Sequence, residues 1–139
     1  EESWRLRATD QYVIKPLERL SIGTAAVYQY TDFGADQPEQ HWASFGVRPI
    51  WHFCPNLSLA FEGGADWVSE TQEGDGGWLG KFTLAPQWSL GDEFFSRPVI
   101  RAFVTYSLWE SSLQGDVGGI DYTDSTSGFS WGVQMESWW

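Results

Sequence analysis

The sequence predicts an all-β membrane protein: about seven antiparallel strands of the kind that build a transmembrane β-barrel. Three observations carry that prediction. The first is the closing stretch, 128–139. Phe129, Trp131, Val133, Met135 and Trp139 fall on one parity, with Ser137 a small exception. Ser130, Gly132, Gln134, Glu136 and Trp138 fall on the other. Period-two alternation is a strand whose two faces meet different surroundings. A barrel's last strand ends naturally in the aromatic girdle of the membrane interface. The second observation is composition. Trp numbers 10 and Gly 15, aromatics make up 17%, and mean hydropathy is still −0.34. No apolar run approaches the roughly 18 residues a membrane helix needs, so the apolar residues must be spread over alternating strands with a wet side. The third is that the connections between candidate strands alternate short and long, the asymmetry of periplasmic turns and extracellular loops.

In order, the first strand (4–14) sets Trp4, Leu6, Ala8, Tyr12 and Ile14 against Arg5, Arg7, Thr9 and Gln11. Asp10 sits on the apolar parity, so a bulge or a protected edge is expected there. After a turn at 15–18, the second strand (19–31) opposes Leu20, Ile22, Ala26, Tyr28 and Tyr30 to Ser21, Gly23, Ala25 and Gln29. A polar connection (32–40) leads to the third (42–53), with Ala43, Phe45, Val47, Pro49, Trp51 and Phe53 apolar, and Ser44, Gly46, Arg48 and His52 opposite. Pro49 removes a ladder hydrogen bond, but the alternation around it is clean. The turn 54–56 precedes a fourth strand carrying Leu57, Leu59, Phe61, Ala65 and Trp67 opposite Ser58, Glu62 and Asp66. An acidic Gly-rich loop (70–77) follows. The fifth strand (78–90) sets Trp78, Phe82, Leu84, Trp88 and Leu90 against Lys81, Thr83, Gln87 and Ser89. A short turn (91–96) leads to the sixth (97–109), which alternates Ile100, Ala102, Val104, Tyr106 and Leu108 with Arg97, Arg101, Thr105 and Ser107. The longest loop, 110–127, reaches the closing strand. The whole chain forms one unit, with Arg5, Arg7, Arg48, Lys81, Arg97 and Arg101 expected toward water and Phe45, Trp51, Phe61, Phe82, Leu84, Val104 and Val133 toward lipid.

Several chemistries are excluded or disfavoured. A net charge of −11 with 8 scattered basic residues does not suit nucleic acid, which needs clustered Lys and Arg. One cysteine, Cys54, and two histidines make neither an internal disulfide nor a zinc pattern, and no cofactor or metal is expected. The stretch from Gly74 to Phe82 only superficially suggests a phosphate loop: Asp75 stands where Gly is required and Phe82 where Ser or Thr must be. Glu62 and Asp66 as a glycosidase pair would lie about 13 Å apart along one strand face, beyond the roughly 6.5–9.5 Å of an inverting pair. No catalytic residue is expected, and His52 reads as a wall residue. The start of the chain shows no signal peptide. The competing class is a soluble carbohydrate-binding β-sandwich, which detergent dependence would separate from a barrel.

The segments 94–106 and 129–139 resemble the maltoporin family of sugar-specific porins, most specifically through Ser96-Arg97-Pro98 together with Gln134-Met135-Glu136 and Trp138-Trp139. Gly46-Val47-Arg48-Pro49 and Leu84-Ala85-Pro86-Gln87-Trp88 are similar to further family segments in the right order. The resemblance covers most of this chain but maps onto the C-terminal part of such a porin. It implies a portion of an eighteen-stranded barrel, trimeric when full length, that passes saccharides across the bacterial outer membrane, in contact with lipid and lipopolysaccharide. It further implies an aromatic slide for sugar rings, with Phe95 and Trp138 at two of its positions, Phe95 standing where Trp is common. The polar lumen candidates beside them are Arg48, Glu62, Asp66, Lys81, Arg97, Arg101 and Glu136. Trp131, Gly132, Met135, Trp138 and Trp139 form the kind of aromatic terminal strand that barrel-assembly machinery recognises. The chain is therefore also readable as a client of that machinery, or as a small barrel engineered from porin strands. Seven strands leave two open edges, so a barrel closed on itself is not expected.

Overall fold

The computed structural model describes residues 3–34, 39–70 and 75–137. Seven strands follow one another: β1 (Trp4–Leu17), β2 (Leu20–Asp32), β3 (Gln40–Cys54), β4 (Leu57–Glu70), β5 (Asp75–Ser89), β6 (Val99–Trp109) and β7 (Ser127–Glu136). They form one antiparallel sheet in the order β1-β2-β3-β4-β5-β6-β7, every strand beside its sequence neighbour. β1 and β7 are the two edges, and they do not pair with each other among the described residues. No α-helix occurs among those residues; the only helical turns are two short 3-10 segments, Ser111–Leu113 and Ile120–Tyr122. A β-sandwich needs two packed sheets, so the single sheet removes that alternative.

Register carries one apolar face across the sheet without a break. Ala26 lies opposite Phe45, Phe45 opposite Ala65, Phe61 opposite Leu84, Leu84 opposite Val104 and Val104 opposite Trp131. Because side chains alternate strictly, fixing one such pair fixes the whole strand's facing. The seven residues expected toward lipid all lie on this face and are all exposed. Aromatic and polar-tipped side chains collect at one end of it. Trp4 and Tyr30 rings lie 4.9 Å apart, Tyr30 and His41 5.2 Å, and Trp67 and Trp78 6.4 Å. Trp4 Nε1 donates to Asp32 at 3.0 Å, and the Tyr28 hydroxyl meets His41 Nδ1 at 2.8 Å. Trp51 and Trp88 mark the opposite end.

Two prolines lie inside strands. Pro49 and Pro86 interrupt the bridge ladder locally, yet the register on either side is unchanged, from Val47–Gly63 to Ile50–Ala60 and from Leu84–Val104 to Gln87–Arg101. A missing donor removes a hydrogen bond without forcing a slip. The register does shift between Ile14 and Leu17, where β1 spends two residues, Lys15 and Pro16, against one on β2. Of the two alternatives at Asp10 the bulge is absent, since Asp10 pairs with Ala26 in unbroken register and the bulge comes at the proline, whereas β1 does lie at the edge of the sheet.

The connections depart from a simple short–long alternation. Two are tight turns, 18–19 and 55–56, but the β5–β6 connection, 90–98, is longer than the expected 91–96 and folds over the polar face. There Phe94 packs with Phe103 on a small cluster of Ile50, Ala60 and Ala85, each at most 5% exposed. The polar parity is thus apolar and dry near this end of the sheet, which the alternation of charged residues did not suggest. The β6–β7 loop also folds inward. Leu113 is buried against Gly77, and the Tyr122 hydroxyl donates to Phe129 O (2.7 Å) while accepting from Phe129 N (3.2 Å).

Candidate functional site

The polar face is built from cross-strand pairs. Arg48 on β3 and Glu62 on β4 meet across one inter-strand gap, with Arg48 Nε donating to Glu62 Oε2 at 2.7 Å and Nη2 at 2.5 Å. Each is about two-fifths exposed or less, so the pair is wet and adaptable rather than a buried strut. One strand further, the Thr83 and Thr105 hydroxyls lie 2.8 Å apart. At the end of β7, Glu136 takes Arg97 Nη2 on one oxygen (2.6 Å) and Arg101 Nη2 on the other (3.1 Å). Gln134 Nε2 donates to the same carboxylate at 3.0 Å. Toward the opposite end, Trp42 Nε1 donates to Asp66 Oδ1 at 3.3 Å, and the Arg7 guanidinium carbon lies 5.4 Å from the Trp42 ring centroid. Lys81 is exposed on this face and makes no ion pair among the described residues.

Two adjoining depressions run along this face. One, of about 500 Å³, is lined by Trp42, Arg48, Glu62, Asp66, Lys81 and Phe95 among others. The second, of about 450 Å³, shares Arg48, Glu62 and Lys81 and continues to Arg101 and Phe103. So the sequence-derived wall residues Arg48, Glu62, Asp66, Lys81, Arg101 and Glu136 share one face. Arg97 reaches that face differently. It precedes β6, which begins at Val99, and extends from the 90–98 segment. Phe95 likewise is not on a strand, and parity does not explain its position; the inward fold of 90–98 carries it to the depression, 58% exposed. His52 has the expected parity but is buried, its Nε2 3.1 Å from Ser21 Oγ. Trp131 and Met135 stand exposed on the apolar face of β7, while Gly132 faces the Phe103 ring. Trp138 and Trp139 lie outside the described residues.

Trp42, Phe94 and Phe103 also belong to this face and were not singled out by sequence. Trp42 shares parity with Ser44, and Phe103 with Arg101, so the signal for these two was present. Phe94 had none, because its connection has no period. Glu62 and Asp66 are engaged by different partners, Arg48 and Trp42, and form no acid–base pair. Among the described residues no three His, Cys, Asp or Glu side chains converge as metal ligands.

The arrangement, one exposed apolar face with an aromatic end and one polar face lined by ion pairs, is that of a channel wall. The sequence model of the LamB porin family matches residues 1–139. This chain belongs to that family. LamB porins are outer-membrane channel proteins rather than enzymes. In a transmembrane β-barrel with an aqueous interior the polar face of the sheet borders the lumen and the apolar face meets lipid.

Proposed function

We propose that these seven strands form part of the wall of an outer-membrane channel for saccharides, and that Phe95 is one platform on which a permeating sugar ring stacks. The observation that carries this reading is the placement of an exposed Phe95 ring beside the Arg48–Glu62 pair and Lys81 in one depression. A sugar's C–H face stacks on an aromatic ring, and its hydroxyls need partners that replace lost water. Half-exposed ion pairs supply both donors and acceptors. Many weak contacts of this kind let a permeant enter and still leave. Phe95 is a smaller platform than Trp, so block by a malto-oligosaccharide is expected to be weaker than in a porin that carries Trp there. Trp138, by its resemblance, is a second platform.

The remaining wall is supplied by further strands, in a barrel of eighteen that assembles as a trimer. Both open edges of the sheet support this. The turns 18–19 and 55–56 and the segment 90–98 lie toward the periplasm, and the loops after β2, β4 and β6 toward the cell surface and its lipopolysaccharide. The test is block of current in planar bilayers by added maltotriose. Trp138→Ala is expected to weaken block by about 0.5–1.5 kcal/mol, the size of an aromatic contact. Unchanged block with normal trimer assembly would mean that Trp138 serves structure alone. A second reading, compatible with the first, has the chain recognised as a client by barrel-assembly machinery. It is favoured by Trp131 and Met135 standing exposed on the edge strand β7.

A further inference from the structure

The segment 90–98 leaves β5 at Ser89, returns to β6 at Val99, and in between reaches β1. Lys15 Nζ lies 3.1 Å from Asp92 Oδ2 and 3.4 Å from Glu93 Oε1. In a flat sheet β1 and β5 would stand four strand spacings apart, about 19 Å, so the contact requires the sheet to curl toward its polar face and the segment to cross it. Lys15 shares the parity of Arg7 and Gln11 on β1, the polar face that the segment crosses. The crossing is also keyed sterically. A Cβ on Gly23 of β2 would fall 2.8 Å from Phe94 Cε2, closer than real Cβ atoms approach, so any larger residue there makes the Phe94 ring give way. Phe94 in turn packs on the cluster of Ile50, Ala60 and Ala85 and holds Phe95 edge-on at a centroid distance of 5.0 Å. Within the segment, Ser96 closes a turn, its N–H donating to Glu93 O (3.0 Å) and its hydroxyl accepting from Glu93 N–H (3.1 Å).

We infer that 90–98 is a strap across the lumen side of the sheet, and that Lys15 and Gly23 are positioning residues for Phe95. They act from strands β1 and β2, which the strap itself does not join covalently, by fixing where the Phe95 ring stands and how far the strap narrows this end of the channel. This rests on the reading of Phe95 as a sugar platform, and it adds what sets the platform's place.

The test uses channels containing these strands in planar bilayers, with maltotriose as the probe and open-channel conductance recorded in parallel. Gly23→Leu fills the slot and displaces Phe94. Lys15→Glu sets three carboxylates together and repels the strap. Each is expected to raise open-channel conductance and to weaken block about fivefold, the loss expected of one aromatic contact. Phe95→Ala should cost about as much, and Gly23→Leu added to it should cost nothing further, since Gly23 acts through Phe95. The charge-swapped channel, Lys15→Glu with Asp92→Lys and Glu93→Lys, should regain both conductance and block. It remains informative if Gly23→Leu does not assemble. Block weakened by Phe95→Ala but untouched by Gly23→Leu and Lys15→Glu overturns the strap while leaving the sugar reading standing, as do additive losses or a swap that restores nothing. No block of the unmodified channel by maltotriose overturns the sugar reading and the positioning role with it.

Discussion

In the proposed saccharide path, Arg48 and Glu62 are charged side chains that hold a permeant only weakly. Both are half in water, and an exposed pair is worth about 0–1 kcal/mol, so a sugar hydroxyl can insert between them at little cost. Glu62→Gln keeps the shape and removes the charge. It is expected to leave folding unchanged and to weaken maltotriose block by less than about 1 kcal/mol, measured as the shift in half-blocking concentration. Asp92 offers a pH handle at the strap. The hydrogen bond from Lys15, and then its charge, hold the Asp92 carboxyl below its ordinary value of 3.8. A depressed folded value means the contact's contribution is fully present above 3.8 and is lost as pH falls through the lower folded value. Conductance is therefore expected to stay level from neutral pH down to about 4 and to rise only below it. A rise centred near neutrality would show that another group, not Asp92, holds the strap.

At the level of elements, facing is the property the sequence made legible. Val104 and Thr105 are neighbours on β6, yet register puts Val104 opposite Trp131 and Thr105 opposite Ser130. A spin label at position 104 should be quenched by lipid-borne quenchers and one at 105 should not; the reverse would mean β6 is read one residue out of phase. An arginine at a mid-membrane lipid-facing site costs about 2–4 kcal/mol. Val104→Arg is accordingly expected to depress assembly, measured as the yield of folded trimer, while Thr105→Arg is tolerated. Period-two pattern sufficed for these strands because a buried or lipid-facing parity admits no slip. It failed where no period exists. The 90–98 connection looked like a short turn because Gly91 to Ser96 carries no alternation, and its anchor, Lys15, lies 77 residues away. Asp10 was a weaker guide than Pro16 to the bulge in β1, since a charge on an exposed strand face leaves the backbone ladder intact whereas a proline withdraws a donor from it. Phe95 shares the parity of Arg97, but neither is on β6, so parity is no guide there; its place comes from a fold that only tertiary contact could produce.

For the molecule as a whole, the open edges decide what the sheet requires. β1 has 14 residues and β7 has 10, and each turns one row of N–H and C=O groups away from its only neighbour. In an antiparallel strand about half of the backbone groups point to each side. In hydrocarbon each unsatisfied one costs several kcal/mol. The sum runs to tens of kcal/mol, more than the roughly 5–15 kcal/mol by which a folded domain is usually stable. These edges therefore need partners when the sheet lies in a membrane, and the described strands do not supply them to each other. Cysteines at Ala8 on β1 and Val133 on β7, with Cys54 replaced by serine, test this in membrane-embedded protein. Oxidation is expected to give no intrachain Ala8–Val133 cross-link, while a cysteine pair at Val104 and Trp131, which face each other across β6 and β7, should join readily. An efficient link between positions 8 and 133 within one chain would mean that these seven strands close on themselves, and the larger barrel would have to be abandoned.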